Sequence, residues 1–409
     1  MNDQRRISLS WVILGICFID LFINYSVRLG YGVVLPEMIR DLGFSRADTG
    51  SIYNAYLLTY ITVTPFTGYL TDRFGARRVI SICLAFLGVG VLLLGTVERL
   101  SSACLFFGLA GLGATGLWVP IITVVQRWFA QQRKGLALGV LSTGYGLGFA
   151  VMGLAFPWIV ERYSWRHAWY ILGLMALALI APNALILRSD PADCGLRPWG
   201  QKTPTQPSPV KGQFKVPLGR ILREPNFWII GLSYAFLSYG LYGFTTFMVD
   251  YAAYQLNLPL EQASLLASIH GLFQIVGVLT VLPASDYIGR KKTILFSNSM
   301  ITALLISLLI IGKSWAPLCG ITGVLAVFYG ATFPIYGACA GDYFPKHVIG
   351  TVIGAWTPFY GLGAIASHWL GGMLRDATGR YDEAFALNAL MAFAAFLLFF
   401  AVGRPRPQG

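Results

Sequence analysis

The chain has 409 residues, 56% of them hydrophobic and only 12% charged, about half the charged share of an ordinary soluble protein. Its mean hydropathy is +0.63, so it cannot clothe a core in polar surface, and intrinsic disorder is excluded because disorder needs few apolar residues and much charge. Its six cysteines, Cys17, Cys83, Cys104, Cys194, Cys319 and Cys339, stand singly and mostly in apolar runs, which argues against a disulfide framework and gives no metal-ligand spacing. The net charge of +12 lies in short clusters between apolar runs, the marking of membrane loops and not of a nucleic-acid surface. A polytopic membrane protein remains.

A helix needs about 20 apolar residues to cross the hydrocarbon. Residues 8–36, 49–70, 78–96, 101–126, 135–160 and 166–188 qualify, and then 226–252, 262–284, 294–313, 316–340, 349–374 and 381–403. Twelve transmembrane helices in an all-α membrane fold are therefore expected, joined by loops of a few residues. The exception is 189–225, rich in Pro, Gly and basic residues, which can neither continue a helix nor enter lipid. It divides the chain into an N-terminal six-helix bundle (1–188), a linker loop and a C-terminal six-helix bundle (226–409), with a short amphipathic helix possible near 216–223. With the N-terminus placed inside, the inner loops and tails carry 21 basic residues and the outer loops 8, while Arg28 falls within the first span. The positive-inside rule then puts both termini and the linker in the cytoplasm. The first apolar run is too long for a cleavable signal, so it is expected to begin the mature protein in the cell's inner (plasma) membrane.

Ionisable groups within spans are functional candidates by default, because each is expensive to place in lipid. In chain order these are Asp20 and Arg28 in the first span, Asp250 near the end of the seventh, His270 in the eighth and His368 in the eleventh. The Arg28 guanidinium is a permanent cation whose planar fork suits a carboxylate. An anion site, a structural pair with Asp20 and outward snorkelling are the three readings open to it; positions i and i+8 differ by about 80° around a helix and need not touch. An unperturbed histidine titrates near neutrality, so His270 is expected either to carry a coupling proton or simply to bond a neighbouring helix. His368 is similar, Asp250 is a gate or rim residue with a possible coupling role, and Asp20 is a further candidate for the coupling proton.

The two halves repeat one another. Asp72-Arg73-Phe-Gly75-Ala-Arg77-Arg78 follows the second span, and Asp286-Tyr-Ile-Gly289-Arg-Lys291-Lys292 follows the eighth, offset by 214. Tyr145-Gly-Leu-Gly148 in the fifth span matches Tyr360-Gly-Leu-Gly363 in the eleventh, offset by 215. Parallel repeats of this kind imply a pseudo-two-fold axis along the membrane normal, with a substrate cleft at the repeat interface.

The stretch from Gly68 through Leu70, Asp72, Arg73, Gly75, Arg77 and Arg78 resembles the G-x-L-x-D-R-x-G-x-R-R signature of the major facilitator superfamily. With twelve spans and a long central loop, the resemblance covers the whole chain. Val27-Arg28-Leu-Gly-Tyr31-Gly, and the run from Arg127 through Arg133, Gly135 and Gly139 to Gly148, Trp165 and Arg166, are similar to bacterial monocarboxylate and oxalate/formate transporters. Animal members carry an aspartate and an arginine in the eighth span, where this chain has His270 and Gln274 and no arginine. The resemblance implies a proton-coupled symporter of small monocarboxylates, such as lactate or pyruvate, working by alternating access. Exchange of carboxylates in the oxalate/formate manner, or carriage of a neutral solute, stays open. It also implies that Trp118, Tyr145, Tyr329, Trp356 and Tyr360 lie in spans around the central axis, where with Arg28 and Gln274 they can line a substrate. Asp72, Arg73, Gly75, Arg77, Arg78 and Asp286 become candidates for a conformational latch. Partners are then a small organic anion, protons or a counter-anion, and the bilayer, with the protein acting as a monomer. No enzyme constellation, metal site, cofactor motif or ATP-binding loop is present in the sequence.

Overall fold

The computed structural model describes residues 3–200, 221–310, 314–344 and 349–403. It is all-helical, with twelve long helical rods in chain order: α1 Asp3–Leu42, α2 Arg46–Phe74, α3 Ala76–Leu94, α4 Leu100–Trp128, α5 Gln131–Arg162, α6 Trp165–Leu185, α7 Pro225–Gln255, α8 Leu260–Ile288, α9 Arg290–Leu308, α10 Trp315–Tyr343, α11 Ile349–Thr378 and α12 Asp382–Phe400. Among the described residues nine of these are long and apolar enough to cross a membrane, α2, α9 and α11 not being among them. Large apolar side chains such as Leu105, Leu154, Phe296 and Leu390 are exposed. Lipid is the solvent that such a surface suits, and helices satisfy their own backbone in it. Pro36, Pro65, Pro157, Pro283, Pro334 and Pro358 lie inside rods, as membrane helices tolerate.

The chain forms two compact units. Unit 1 comprises 1–44, 51–204 and 260–271, and unit 2 comprises 45–50, 205–259 and 272–409. In unit 1, α5 lies on α1 because Gly148 lets backbones meet: a Cβ there would stand 2.6 Å from the Phe22 carbonyl oxygen. Ser26 Oγ donates to the Gly148 carbonyl at 3.2 Å. Unit 2 repeats the device, α11 closing on α7 through Gly363, where a Cβ would meet the Ala235 oxygen at 2.0 Å. Ser238 Oγ donates to the Tyr360 carbonyl at 2.6 Å. Each unit thus carries a serine on its first rod that donates to a carbonyl on its fifth, although the acceptors Gly148 and Tyr360 are not repeat mates.

Three departures from regular helix matter. The α4 rod breaks at a 3₁₀ turn over Thr115–Leu117, and Trp118 takes φ −123° and ψ −73° before the helix resumes at Val119. Pro120 has no N–H to continue the ladder. The last turn of α7, Tyr251–Gln255, is a π-helix. The linker's first residues are ordered in unit 1: Trp199 N–H donates to the Trp128 carbonyl at 2.8 Å, and the Ala130 N–H donates to the Trp199 carbonyl at 2.9 Å. The amphipathic helix expected near 216–223 falls mainly outside the described residues.

Candidate functional site

Arg28 lies on α1 in unit 1 and is only 7% exposed. Its guanidinium carbon stands 5.0 Å from the centre of the Tyr60 ring and 5.7 Å from that of Tyr25. The Tyr25 ring in turn meets Tyr145 at 5.0 Å and Trp118 at 6.4 Å, and Trp118 meets Tyr145 at 6.0 Å. Three residues picked from the sequence, Arg28, Trp118 and Tyr145, are thus brought together, joined by Tyr25 and Tyr60. Tyr25, Trp118 and Tyr145 keep partial exposure. Chemically this is a cation held against aromatic faces, a weakly hydrated environment in which a carboxylate binds a guanidinium strongly. Tyr25 sits one turn before Arg28 on the same helix, a spacing that could have flagged it.

Asp20 is not the partner of Arg28. It turns toward α6, where Asn183 Nδ2 donates to its Oδ1 at 2.8 Å, so the structural pair considered from the sequence is replaced by a different one. The roughly 80° between positions i and i+8 sends the two side chains to different neighbours. His270, on the part of α8 that belongs to unit 1, is fully buried edge-on against Phe149, with ring centres 5.6 Å apart. Beside it Gly271 packs so tightly on α5 that a Cβ would stand 2.3 Å from the Gly146 oxygen.

In unit 2 the aromatic candidates gather around Tyr242, which sequence reasoning missed. Its ring centre lies 5.7 Å from Tyr360, 6.2 Å from Tyr329 and 5.7 Å from His368. Tyr360 also meets Tyr234 at 4.5 Å, and Tyr234 stacks on Tyr336 at 4.6 Å. His368 Nε2 shares a 2.9 Å hydrogen bond with the Thr246 hydroxyl, and both are buried. Gln274 is buried on α8, its backbone oxygen lying where a Cβ on Gly330 would come within 2.3 Å. Trp356 is placed apart from this group. It stacks on Phe227 at 6.1 Å, and its only N–H donates to the Phe227 carbonyl at 3.0 Å, so it serves the core of the unit.

Asp250 is fully buried and fully engaged. Arg46 donates to it twice, Nε to Oδ2 at 3.1 Å and Nη2 to Oδ1 at 3.3 Å, while the Tyr381 hydroxyl donates to Oδ2 at 2.5 Å. The carboxylate of Asp376 accepts the backbone N–H groups of Arg46 and Ala47 at 3.0 and 2.8 Å, the position an anion favours at a helix start. The bidentate pairing ties Asp250 firmly to Arg46 within unit 2.

Of the latch residues, the Asp72 side chain lies outside the described residues. Gly75 takes φ +84° and its repeat mate Gly289 takes +93°, a turn that a Cβ resists. Arg77 Nη2 donates to the Ala184 carbonyl at the end of α6, and its backbone N–H donates to Ser189 Oγ at 3.2 Å. Lys291, at the matching position, donates to the Val402 carbonyl at 2.5 Å and to that of Phe400 at 3.3 Å after α12. In both units the basic residue closes the carbonyl end of the last rod, a pairing with the helix dipole. Arg73 Nη1 donates to the Tyr69 hydroxyl at 3.2 Å, Arg78 is exposed, and Asp286 pairs with Arg290 at 2.7 Å, which also reaches Asp342 at 3.1 Å.

The family model of the Major Facilitator Superfamily matches residues 17–259 and again 232–409. A hexuronate transporter of Bacillus subtilis is 25% identical over 96% of this chain and 95% of its own. Monocarboxylate transporter 4 of Rattus norvegicus is 24% identical over 97% of this chain and 85% of its own. Among solved structures, a bacterial homologue of the human lysosomal transporter Spinster superposes with a TM-score of 0.76 at 16% identity, covering all of both chains.

Proposed function

Because the chain belongs to the Major Facilitator Superfamily, a family of multi-pass membrane transporters and not of enzymes, we propose that it is a secondary transporter of small organic anions in which Arg28 holds the carboxylate. Small monocarboxylates are the preferred class, carried with a proton by alternating access. The observation that carries this proposal is the near-complete burial of a permanent cation against Tyr25 and Tyr60, with Trp118 and Tyr145 adjoining. The relatives whose names specify hexuronate and monocarboxylate share the same ligand chemistry, a carboxyl group.

Proton coupling follows from the energetics. An anion driven inward against an interior-negative potential meets about 2.3 kcal/mol per charge per 100 mV, and one accompanying proton removes that barrier. The abundance of phenols favours a second reading, an acid that also bears hydroxyl groups: Tyr25, Tyr60 and Tyr145 in unit 1, and Tyr234, Tyr242, Tyr329 and Tyr360 in unit 2. We further propose that the protein sits in the plasma membrane with both termini cytoplasmic. Two six-helix bundles, 1–188 and 226–409, would be joined through 189–225, and a single copy would suffice for transport.

The deciding experiment is uptake of labelled mono- and dicarboxylates, hydroxy acids and hexuronates into proteoliposomes, with and without an imposed pH gradient. Saturable uptake of a carboxylate, stimulated by outside acid and abolished in Arg28→Gln, is the expected result. Uptake of neutral solutes with no response to carboxylates would overturn the proposal.

A further inference from the structure

Asp20 and Asn183 form a buried pair inside unit 1, with no solvent exposure of either residue. The two hydrogens of the Asn183 amide are both committed, one to Asp20 Oδ1 at 2.8 Å and one to the Leu179 carbonyl at 2.9 Å. Two oxygens are left over. Asp20 Oδ2 and Asn183 Oδ1 are buried acceptors that meet no donor.

An ionised carboxylate can only accept hydrogen bonds. In that form the pair would hold a charge away from water beside a second unpaired acceptor, an arrangement that buried polar groups avoid. Among the described residues no cation compensates it. Of the rods packed against α1, α6 brings Asn183, and neither α5 nor α4 brings a charged group whose field reaches the carboxyl among the described residues. Among the described residues the ionisable neighbour is Cys17, a turn earlier on α1 and itself buried.

A single proton resolves both defects. On Oδ2 it removes the charge and turns an orphan acceptor into a donor that can serve the orphan oxygen of Asn183. A carboxylic acid and a carboxamide already joined by one hydrogen bond then join by two, in a cyclic pair. We propose that Asp20 is the site that binds and releases the coupled proton, held as the acid in this state by its cyclic pairing with Asn183. Loading is the plain addition of a proton to the carboxylate, and release its reverse, with the Asn183 amide giving the ionised form one bond rather than two. This rests on the proton-coupled reading above but assigns the proton to a residue distinct from the Arg28 anion site.

The test is infrared spectroscopy of the full-length protein in lipid, joined to proteoliposome transport. At neutral pH the wild-type spectrum should contain the carbonyl band of a protonated carboxyl. That band should vanish in Asp20→Asn, move to higher frequency in Asn183→Leu as its hydrogen bonds are lost, and fade as pH is raised. An asparagine at 20 reproduces the acid's donor and acceptor, so Asp20→Asn should fold and keep anion counterflow while losing at least tenfold of the accumulation driven by a pH gradient. Absence of the band at neutral pH, or gradient-driven accumulation retained in Asp20→Asn, or stimulation by sodium in place of acid, would each overturn the proposal. If Asp20→Asn does not fold, the Asn183→Leu shift still identifies the acid, and an unshifted band refutes the pairing. Should wild-type protein move no carboxylate at all, the anion reading fails on its own. The infrared titration then decides for Asp20, and a band indifferent to pH counts against it.

Discussion

Replacing Arg28 with glutamine removes the cation and its fork while leaving a polar side chain of smaller reach. With the guanidinium only 7% exposed, its bonds to a carboxylate form in a largely desolvated place, where each charge-assisted hydrogen bond contributes about 1.5–3 kcal/mol. Losing two of them removes about 3 kcal/mol or more, which at 1.4 kcal/mol per decade weakens binding at least roughly a hundredfold. Arg28→Lys keeps the charge but presents no planar fork, so one bond is lost and the affinity falls by roughly tenfold. The contacts over Tyr25 and Tyr60 contribute about 0.5–2 kcal/mol to folding, small enough that both variants should still be purified folded. Calorimetric titration with a series of monocarboxylates reads the affinities directly, and thermal melting checks the fold. An Arg28→Gln protein that binds carboxylates as wild type does would refute the assignment of the anion site.

Arg46→Gln should strand the buried Asp250 carboxylate with only Tyr381, at a penalty of about 3–5 kcal/mol; a large drop in melting temperature is expected, and adding Asp250→Asn should recover most of it. Gly363→Ala should destabilise by about 1–3 kcal/mol from overpacking, since its Cβ would collide with the Ala235 carbonyl, whereas Gly354→Ala meets nothing within 4 Å and should be silent in the same melt. In a variant retaining Cys194 as its single thiol, a membrane-impermeant reagent should label only opened cells, and labelling of intact cells would reverse the orientation.

Much of the fold was legible because lipid imposes one rule on every span, a run of about 20 apolar residues. The ends were less so. Residues 8–36 were read as the first span, yet α1 runs to Leu42 through Glu37 and Arg40, since a helix can project its polar end beyond the hydrocarbon. The repeat glycines carried their meaning openly, because Gly148 and Gly363 mark where backbones must touch. The site was half legible. Arg28 announced itself as a charge in an apolar run, and Trp118 and Tyr145 do join it through Tyr25. Side-chain direction, though, depends on helix phase, and phase does not show in a stretch that is apolar all round. That is why Asp20 pairs with Asn183, 163 residues away, and why Trp356 turns into the core while Tyr242, a tyrosine among many, becomes the hub of unit 2.

The interruption of α4 has a mechanical consequence. With three residues in a 3₁₀ turn, an irregular Trp118 and a proline two residues on, the rod is two levers sharing a knuckle, and the indole at that knuckle rests against Tyr25 and Tyr145. A continuous helix would carry any tilt of its lower segment through its whole length. Here the break falls at Trp118, whose ring adjoins the Tyr25 ring that faces the cation, so the two segments need not tilt together. An anion held beside Arg28, as proposed, would press on Tyr25 and through it on Trp118, so the proposed site and the break in α4 lie side by side.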